Sequence, residues 1–166
     1  MPAKGTPAID ACRRAGIPFE VFTYEPPEHH GRDRDERPSY GLEAAAALGV
    51  DPATMFKTLI AMADDRLVAA LVPVDRELDL KRLASAAGAH RAALAEPAAA
   101  ERATGYVVGG ISPLGGRRRL PTFVDATVLD HPTVLVSAGR RGLQLALAPN
   151  DLVRLAEATA VVLARA

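Results

Sequence analysis

The chain has 166 residues, of which 49% are hydrophobic and 24% charged, a composition that excludes a disordered protein and is typical of a globular domain. No apolar run reaches the roughly 18 residues of a membrane-spanning helix, and the N-terminal residues lack a signal-peptide core, so we expect a cytoplasmic location without a membrane partner. Twenty basic residues balance twenty acidic ones, so bulk charge does not attract nucleic acid, and any polyanionic partner must be held locally.

The first part of the chain carries clear start and stop signals for helices and strands. Helices begin at capping residues or proline and end at glycine, whereas strands are rich in aromatic and β-branched residues. In chain order these signals predict a helix over 7–15, a strand over 18–24, a charged loop over 25–38, a short helix between Ser39 and Gly49, and a turn at Asp51-Pro52.

The remainder predicts a hairpin, two helices and then mostly strands. The hairpin strands are 56–63 and 67–74, and helices follow over 80–87 and from Pro97 to about Ala103. Four strands are then predicted over 106–108, 121–125, 133–137 and 143–148. A C-terminal helix is predicted over about 150–158. Because the links after residue 105 are short, an α/β fold with a curved mixed sheet is favoured over a uniform βαβ repeat. No repeat or linker divides the chain, so we predict one domain over residues 1–166.

The glycine-dense segment 104–121 is the least ordinary part of the sequence. Gly109 and Gly110 directly follow a predicted strand, where glycine lowers stability unless the backbone turns sharply or a ligand approaches closely. A β-bulge followed by a Ser-Pro turn explains the pattern equally well. The spacing matches neither a dinucleotide fingerprint nor a phosphate-binding P-loop.

Three basic features are candidates for ligand contact. Lys57 begins an apolar strand, so its ammonium must reach the rim or face a cavity. The small-residue turn 137–142 places backbone amides beside Arg140 and Arg141, an arrangement that suits an anion but also fits a solvated hairpin turn. The three arginines at 117–119 can also be explained as side chains that are simply exposed to solvent.

The sequence shows no clear residue pattern for a metal site or for a nucleophilic catalytic site. The histidines lack ligand spacing, and the single cysteine, Cys12, has no histidine nearby, so we predict no metal site, no cofactor and a buried structural role for Cys12. No nucleophile–base pair or acid pair is evident either.

Several motifs in a fixed order cover nearly the whole chain and resemble the YbaK/EbsC family. They are Phe22-Thr23-Tyr24, Phe56-Lys57-Thr58-Leu59, Leu78-Asp79-Leu80-Lys81, TGYVVGGISPLG at 104–115, Arg119-Leu120-Pro121-Thr122 and VSAGRRG at 136–142. The twelve positions 104–115 form a highly specific signature, whereas Lys-Thr-Leu alone is a weak one.

The resemblance implies a barrel-like mixed β-sheet surrounded by helices, with a cleft for the 3′-terminal aminoacyl-adenosine of a mischarged tRNA. The implied activity is ester hydrolysis by a free-standing relative of the editing domain of bacterial prolyl-tRNA synthetases, with that synthetase as a further partner. The implied substrate is Cys-tRNA(Pro), whose own thiol attacks the carbonyl. Two alternatives stay open: a deacylase for Ala-tRNA(Pro) or another mischarged tRNA that uses a bound water, and a non-catalytic module that binds the tRNA end.

The family motifs also imply a set of site residues. The resemblance assigns catalytic roles to Lys57, Gly109 and Gly110, with the backbone amides of the glycines facing the carbonyl oxygen. It assigns substrate binding to Tyr24, Tyr40, Ser137, Ala138, Gly139 and Arg140. Two departures bear on amino-acid preference: Ala138 replaces a glycine that is common in the family, and Gln144 stands where an aspartate is frequent.

Overall fold

The computed structural model describes residues 5–26 and 40–165. Five α-helices occur in these ranges: α1 (Pro7–Ala15), α2 (Tyr40–Leu48), α3 (Leu80–Ala87), α4 (Pro97–Thr104) and α5 (Pro149–Ala156). Ten strands accompany them: β1 (Phe19–Thr23), β2 (Phe56–Ala63), β3 (Arg66–Pro73), β4 (Glu77–Leu78), β5 (Ala92–Leu94), β6 (Thr122–Asp125), β7 (Val134–Ser137), β8 (Leu143–Leu147), β9 (Ala158–Val161) and β10 (Ala164–Arg165). Short 3₁₀ turns occupy Pro52–Thr54 and Ala126–Asp130.

The strands form a mixed sheet of five strands, an antiparallel sheet of three and a two-stranded ladder. The five-stranded order is β5-β2-β3-β6-β9, in which β2 is antiparallel to both neighbours and β6 is parallel to β3 and β9. The three-stranded order is β1-β8-β7, and a parallel bridge between Met55 and Leu135 joins it to the chain leading into β2. The predicted α/β class with a mixed sheet is confirmed.

The main core packs α1 and α5 against strands of both larger sheets. Ile9 and Cys12 of α1 lie in it with Phe56 of β2, Leu145 of β8 and Leu152 of α5, all at most 2% exposed. Burying large side chains of this kind contributes roughly 1.5–3 kcal/mol each. The core therefore fixes the start of β2 and the end of β7, which border the candidate site.

Most predicted elements are confirmed, and their caps explain why. The side chain of Thr6 accepts a hydrogen bond from the Ile9 amide at the start of α1, and Gly16 ends that helix in the left-handed region. The side chain of Asp79 caps α3 in the same way, by accepting from two backbone amides. The hairpin of β2 and β3 pairs over its full length.

The predicted strand over 106–108 is wrong, because the segment is a turn after α4. Tyr106 is buried and its hydroxyl donates to the Leu114 carbonyl at 2.7 Å, whereas Val107 is 71% exposed. The Val108 amide donates to the Glu101 carboxylate at 2.9 Å rather than to a neighbouring strand. High β-propensity does not make a strand where no partner strand runs alongside.

The C-terminal region also differs from the prediction. Helix α5 ends at Ala156, two residues before the predicted end, because Glu157 adopts a left-handed conformation with φ 49°. The next four residues form β9, which pairs in parallel with β6. The short strands β4, β5, β9 and β10 were not predicted, since two to four residues carry little periodicity.

Two predictions fall partly or wholly on residues that lie outside the described ranges. The predicted loop 25–38 is described only at residues 25 and 26, which belong to no helix or strand, and the capping role of Ser39 is not covered. Helix α2 itself is confirmed, with Gly49 just beyond its end at φ 67°. Among the described residues, no helix is long and apolar enough to cross a membrane.

Candidate functional site

A cavity of about 680 Å³ lies beside the first half of β2. Five of the residues that the sequence analysis singled out line its wall together, although they come from distant parts of the chain. They are Tyr24 after β1, Tyr40 at the start of α2, Lys57 on β2, Gly109 in the turn after α4, and Ser137 at the end of β7. The fold thus brings these five residues to one site.

Lys57 supplies a half-buried positive charge to this cavity. Burial lowers the pKa of its ammonium, and the carboxylates of Glu77 and Asp75 offset only part of that effect. Glu77 is itself bound to Arg165 at 2.7 Å, and no carboxylate in the described ranges lies within ion-pair distance of Lys57. The ammonium is therefore available to a ligand.

The glycine pair closes a tight turn over the cavity. The Gly110 amide donates to the Val107 carbonyl at 2.9 Å, and Gly109 precedes it with φ 97°, a conformation that favours glycine. A Cβ at Gly109 would lie 3.4 Å from ring carbons of Tyr40, at the cavity wall. Gly109 is thus required by the backbone conformation of this turn.

Gly110 is required for a different reason, which the sequence did not reveal. It is buried, and a Cβ placed on it would lie 2.5 Å from the Cα of Arg140. The close approach expected at this glycine is therefore made by protein backbone rather than by a ligand. Gly110 does not belong to the described lining of the cavity.

Ser137 connects the glycine turn to the hairpin that joins β7 and β8. Its hydroxyl donates to the Gly110 carbonyl at 2.9 Å and accepts from the Gly139 amide at 3.2 Å. Since the single hydroxyl proton is used within the protein, Ser137 can offer a ligand only its remaining acceptor capacity.

The rest of the hairpin turn lies behind the cavity wall. Ala138 is fully buried in the core, and its carbonyl accepts a hydrogen bond from the Thr6 hydroxyl. Gly139 has φ 117°, and a Cβ there would lie 2.9 Å from the Tyr106 ring. Arg140 is exposed. None of these three turn residues lines the cavity in the part of the chain that the structure covers, so their geometry supports Ser137 rather than contacting the cavity.

Arg141 is part of a small cluster at the cavity mouth. Its guanidinium carbon lies 4.8 Å from the centroid of the Tyr40 ring, and its Nη2 lies 3.3 Å from the Glu43 carboxylate. A cation over an aromatic face and a partner carboxylate both hold the side chain in place. Arg141 therefore orients Tyr40, and its charge is largely compensated.

Two further polar residues of the wall carry a signal that sequence alone did not provide. Gln144 is 7% exposed and lies opposite Ser137 in the β7–β8 register. Its Oε1 and the Oγ1 of Thr58 are inaccessible to solvent and find no hydrogen-bond partner among the described residues. A buried unpaired polar atom costs roughly 1–3 kcal/mol, so the wall of this cavity holds two polar atoms that the described residues leave unsatisfied. Both residues occur in the sequence analysis, but only burial reveals this property.

The described residues contain no group of histidine, cysteine, aspartate or glutamate that could hold a metal ion. Cys12 lies in the core, away from the cavity, as predicted. Burial, with a smaller contribution from Asp151, raises the pKa of its thiol to about 11. A thiol with such a pKa supplies almost no thiolate at neutral pH.

The chain is similar to known proteins along most of its length. Residues 38–155 match the family model of the aminoacyl-tRNA editing domain. The chain is 37% identical over 151 residues to EbsC of Enterococcus faecalis, a candidate Cys-tRNA(Pro)/Cys-tRNA(Cys) deacylase, with 90% of this chain and 87% of that protein aligned. It is also 35% identical over 103 residues to a proline–tRNA ligase of Moorella thermoacetica, which covers 62% of this chain but only 18% of the ligase.

A solved structure shows the same fold. It is described as a candidate trans-editing enzyme for prolyl tRNA synthetase, and it superposes with a TM-score of 0.79 over 96% of both chains at 23% identity. The resemblance that the motifs suggested is thus confirmed by the family model and by a relative of similar length. The chain belongs to the aminoacyl-tRNA editing domain family.

Proposed function

We propose that the protein is an aminoacyl-tRNA deacylase that hydrolyses the ester of a mischarged tRNA, with Cys-tRNA(Pro) as its substrate. The observation that carries this proposal is the cavity in which Lys57, Gly109 and Ser137 converge, while its described lining holds no cysteine and no histidine that could activate Ser137. Its volume of about 680 Å³ falls within the range of small-molecule sites and suits a terminal aminoacyl-adenosine. We further propose that the chain acts as one editing domain in the cytoplasm, where tRNA is charged.

An editing enzyme of this kind serves a synthetase that cannot reject small amino acids. A binding pocket for proline discriminates weakly against cysteine or alanine, because amino acids of similar or smaller size fit into it, and a second site restores fidelity. The aminoacyl ester is already activated, so the second site needs to orient it and stabilise the developing oxyanion.

In the proposed reaction the thiol of the substrate cysteine attacks its own carbonyl carbon. A carbon–sulfur bond forms as the carbon–oxygen bond to the ribose breaks, and the thiol proton ends on the released ribose hydroxyl. The products are a cyclic thiolactone and uncharged tRNA. This route needs no side-chain nucleophile, in agreement with the buried position of Cys12.

The Gly109 amide is the proposed donor to the oxyanion. The Gly110 amide is used by the Val107 carbonyl, whereas the Gly109 amide donates to no acceptor within residues 5–26 and 40–165. The Lys57 ammonium adds positive charge beside the carbonyl or the terminal phosphate. One preorganised oxyanion donor contributes about 10²–10³ in rate in other enzymes.

The proposed acceptors for the substrate ammonium are Ser137 Oγ and Gln144 Oε1. These residues face each other on paired strands, and the Ser137 hydroxyl proton is already donated to the Gly110 carbonyl, which leaves the Ser137 oxygen as an acceptor. An α-ammonium has three N–H donors and matches two adjacent acceptors. The rings of Tyr24 and Tyr40 complete the wall around the adenosine.

The test is deacylation of cysteinyl-, alanyl- and seryl-tRNA(Pro) by the purified protein, with and without prolyl-tRNA synthetase. We expect cysteinyl-tRNA(Pro) to be cleaved fastest. Preferred cleavage of the alanyl ester would replace the thiol-assisted route with an attacking water. No cleavage of any ester in either condition would reject the enzyme and favour a module that only binds the tRNA end.

A further inference from the structure

A second cavity of about 510 Å³ adjoins the first across β2. Thr58 and Ile60 of that strand line both cavities. The second one is otherwise bordered by the end of α1, by the segment 112–120 and by the start of β6. The two cavities are therefore neighbours that share part of one wall.

The rim of the second cavity is basic. Arg14, Arg118 and Arg119 belong to its lining, and no aspartate or glutamate does among the described residues. Arg119 pairs with Glu157, whereas Arg14 and Arg118 have no carboxylate within ion-pair distance in the described ranges. The neighbouring Arg13, in contrast, is 4.0 Å from Asp10. Two guanidinium groups are thus left uncompensated at this cavity.

An unused hydroxyl group belongs to its lining. Ser112 is 4% exposed, and its Oγ accepts from the Leu114 amide at 3.3 Å but donates to no acceptor in the described part of the chain. The Thr58 hydroxyl has no partner there either, but its oxygen is inaccessible to solvent and does not face the open cavity. In contrast, the hydroxyls of Thr104 and Thr122 donate to backbone carbonyls at 2.8 and 2.9 Å. An unused hydroxyl donor on Ser112 and the guanidinium groups of Arg14 and Arg118, which have no carboxylate partner among the described residues, are a set that suits a phosphate.

We propose that the second cavity binds a backbone phosphate of the tRNA strand that leads into the terminal adenosine. This inference rests on the proposed function, because the cavity shares the wall residues Thr58 and Ile60 with the site proposed for the aminoacyl-adenosine. The chain carries no net charge, so a local cluster of this kind is what could hold a polyanion.

The test variant is Arg14→Gln/Arg118→Gln, assayed on two substrates. With cysteinyl-tRNA(Pro) we expect the KM to rise about tenfold and the slope of log(kcat/KM) against log salt to become shallower by about 0.7, the value for one phosphate on a single strand. Cysteinyl-adenosine lacks phosphate and reports on the first cavity alone. With that substrate the variant should match the parent, which also shows that it is folded.

A matched control removes the same charge elsewhere. Arg76 and Arg91 are exposed and line neither cavity, and their guanidinium groups have no carboxylate partner in the described ranges. Arg76→Gln/Arg91→Gln should therefore keep the parental KM and salt slope for cysteinyl-tRNA(Pro). Equal weakening by both double variants, or an unchanged KM in Arg14→Gln/Arg118→Gln, would overturn the phosphate site.

Direct binding separates this inference from the proposed function. An uncharged RNA oligonucleotide ending in CCA is titrated against the parent and both double variants by fluorescence anisotropy. The parent protein could cleave no ester and still bind the oligonucleotide more tightly than Arg14→Gln/Arg118→Gln does, while Arg76→Gln/Arg91→Gln binds it as the parent does. In that case the deacylase proposal fails and the phosphate site stands. If orthophosphate or AMP binds the cavity and the oligonucleotide does not, the cavity is a small-anion site and the inference is wrong.

Discussion

The Ser137 hydroxyl donates a hydrogen bond to the Gly110 carbonyl across 2.9 Å, joining the end of β7 to the glycine turn that follows α4. These two segments are separated by 27 positions in sequence, and each contributes to the wall of the first cavity. The hydrogen bond therefore holds the Gly109 amide and the Ser137 acceptor in a fixed relation to one another.

Ser137→Ala should loosen this connection. It removes the hydroxyl that binds the Gly110 carbonyl and the Gly139 amide, so we expect a loss of about 1–2 kcal/mol in the free energy of unfolding and a higher KM for cysteinyl-tRNA(Pro). Ser85→Ala on the exposed face of α3 is the matched control. Urea denaturation and steady-state kinetics measure both effects, and parental values for Ser137→Ala would contradict the positioning role.

Gly110→Ala should destabilise the fold, since its Cβ would lie 2.5 Å from the Cα of Arg140 and backbone cannot move aside cheaply. Overpacking of this kind typically costs about 1–3 kcal/mol. Gly116→Ala is the control, because its Cβ would come no closer than 3.4 Å to the Arg118 carbonyl oxygen. Equal urea midpoints for the two variants would show that Gly110 is not required for packing.

Lys57→Ala should lower kcat/KM for cysteinyl-tRNA(Pro) at least tenfold, which corresponds to about 1.4 kcal/mol of transition-state stabilisation. Lys81→Ala, on the exposed surface of α3, should leave the rate unchanged. Unaltered turnover in a folded Lys57→Ala protein would remove this residue from the mechanism.

The pH profile gives an independent test of the same charge. Because burial lowers the pKa of Lys57, its ammonium is lost at a lower pH than that of an exposed lysine. We therefore expect kcat/KM to fall on the alkaline side below the usual lysine range. In Lys57→Arg the alkaline fall of kcat/KM should move to higher pH, since a guanidinium stays charged. If the fall stays at the same pH in this variant, a group other than Lys57 causes it.

Cysteinyl-tRNA(Pro) should be cleaved far faster than seryl-tRNA(Pro). A thiol is a few per cent thiolate at neutral pH and a strong nucleophile, whereas a serine hydroxyl without an adjacent base is neither. Comparable rates for the two esters would favour an enzyme-positioned water.

Cys12→Ala should keep the parental deacylation rate, because Cys12 is buried in the core and its pKa is raised to about 11. A small loss in thermal stability is expected from the deleted sulfur. Loss of activity in a folded variant would indicate a protein nucleophile in place of the substrate thiol.

Because of Asp125, the free energy of unfolding should fall as the pH is lowered into the acid range. Burial by itself raises the pKa of this carboxyl, but hydrogen bonds from Thr127, Ala164 and Leu163 outweigh it and lower the pKa below the usual aspartate range. The stabilisation is thus present at neutral pH and is lost as the pH falls from about 4 through the folded-state pKa. Asp125→Asn should lower the free energy of unfolding at pH 7 by roughly 2 kcal/mol or more and flatten this acid dependence. Asp130 is exposed, so Asp130→Asn should change neither the free energy of unfolding at pH 7 nor its dependence on acid pH.

Features that depend on neighbouring residues could be predicted from the sequence. Thr6 and Gly16 define α1, and Asp79 defines the start of α3, because capping hydrogen bonds act within one helical turn. The order of the motifs determined the family, and the apolar runs around three charged residues determined the β2–β3 hairpin.

Strand pairing, close backbone contacts and burial depend on distant residues, so they became visible only in the folded structure. Val107 and Val108 have the composition of a strand, yet no strand pairs with them, whereas the unremarkable residues 158–161 pair with β6. Packing also decided that Gly110 meets the backbone of Arg140, and that Thr58 keeps an unpaired hydroxyl between two cavities. Burial and strand pairing are set by contacts between segments far apart in the chain, and these contacts exist only once the core has formed.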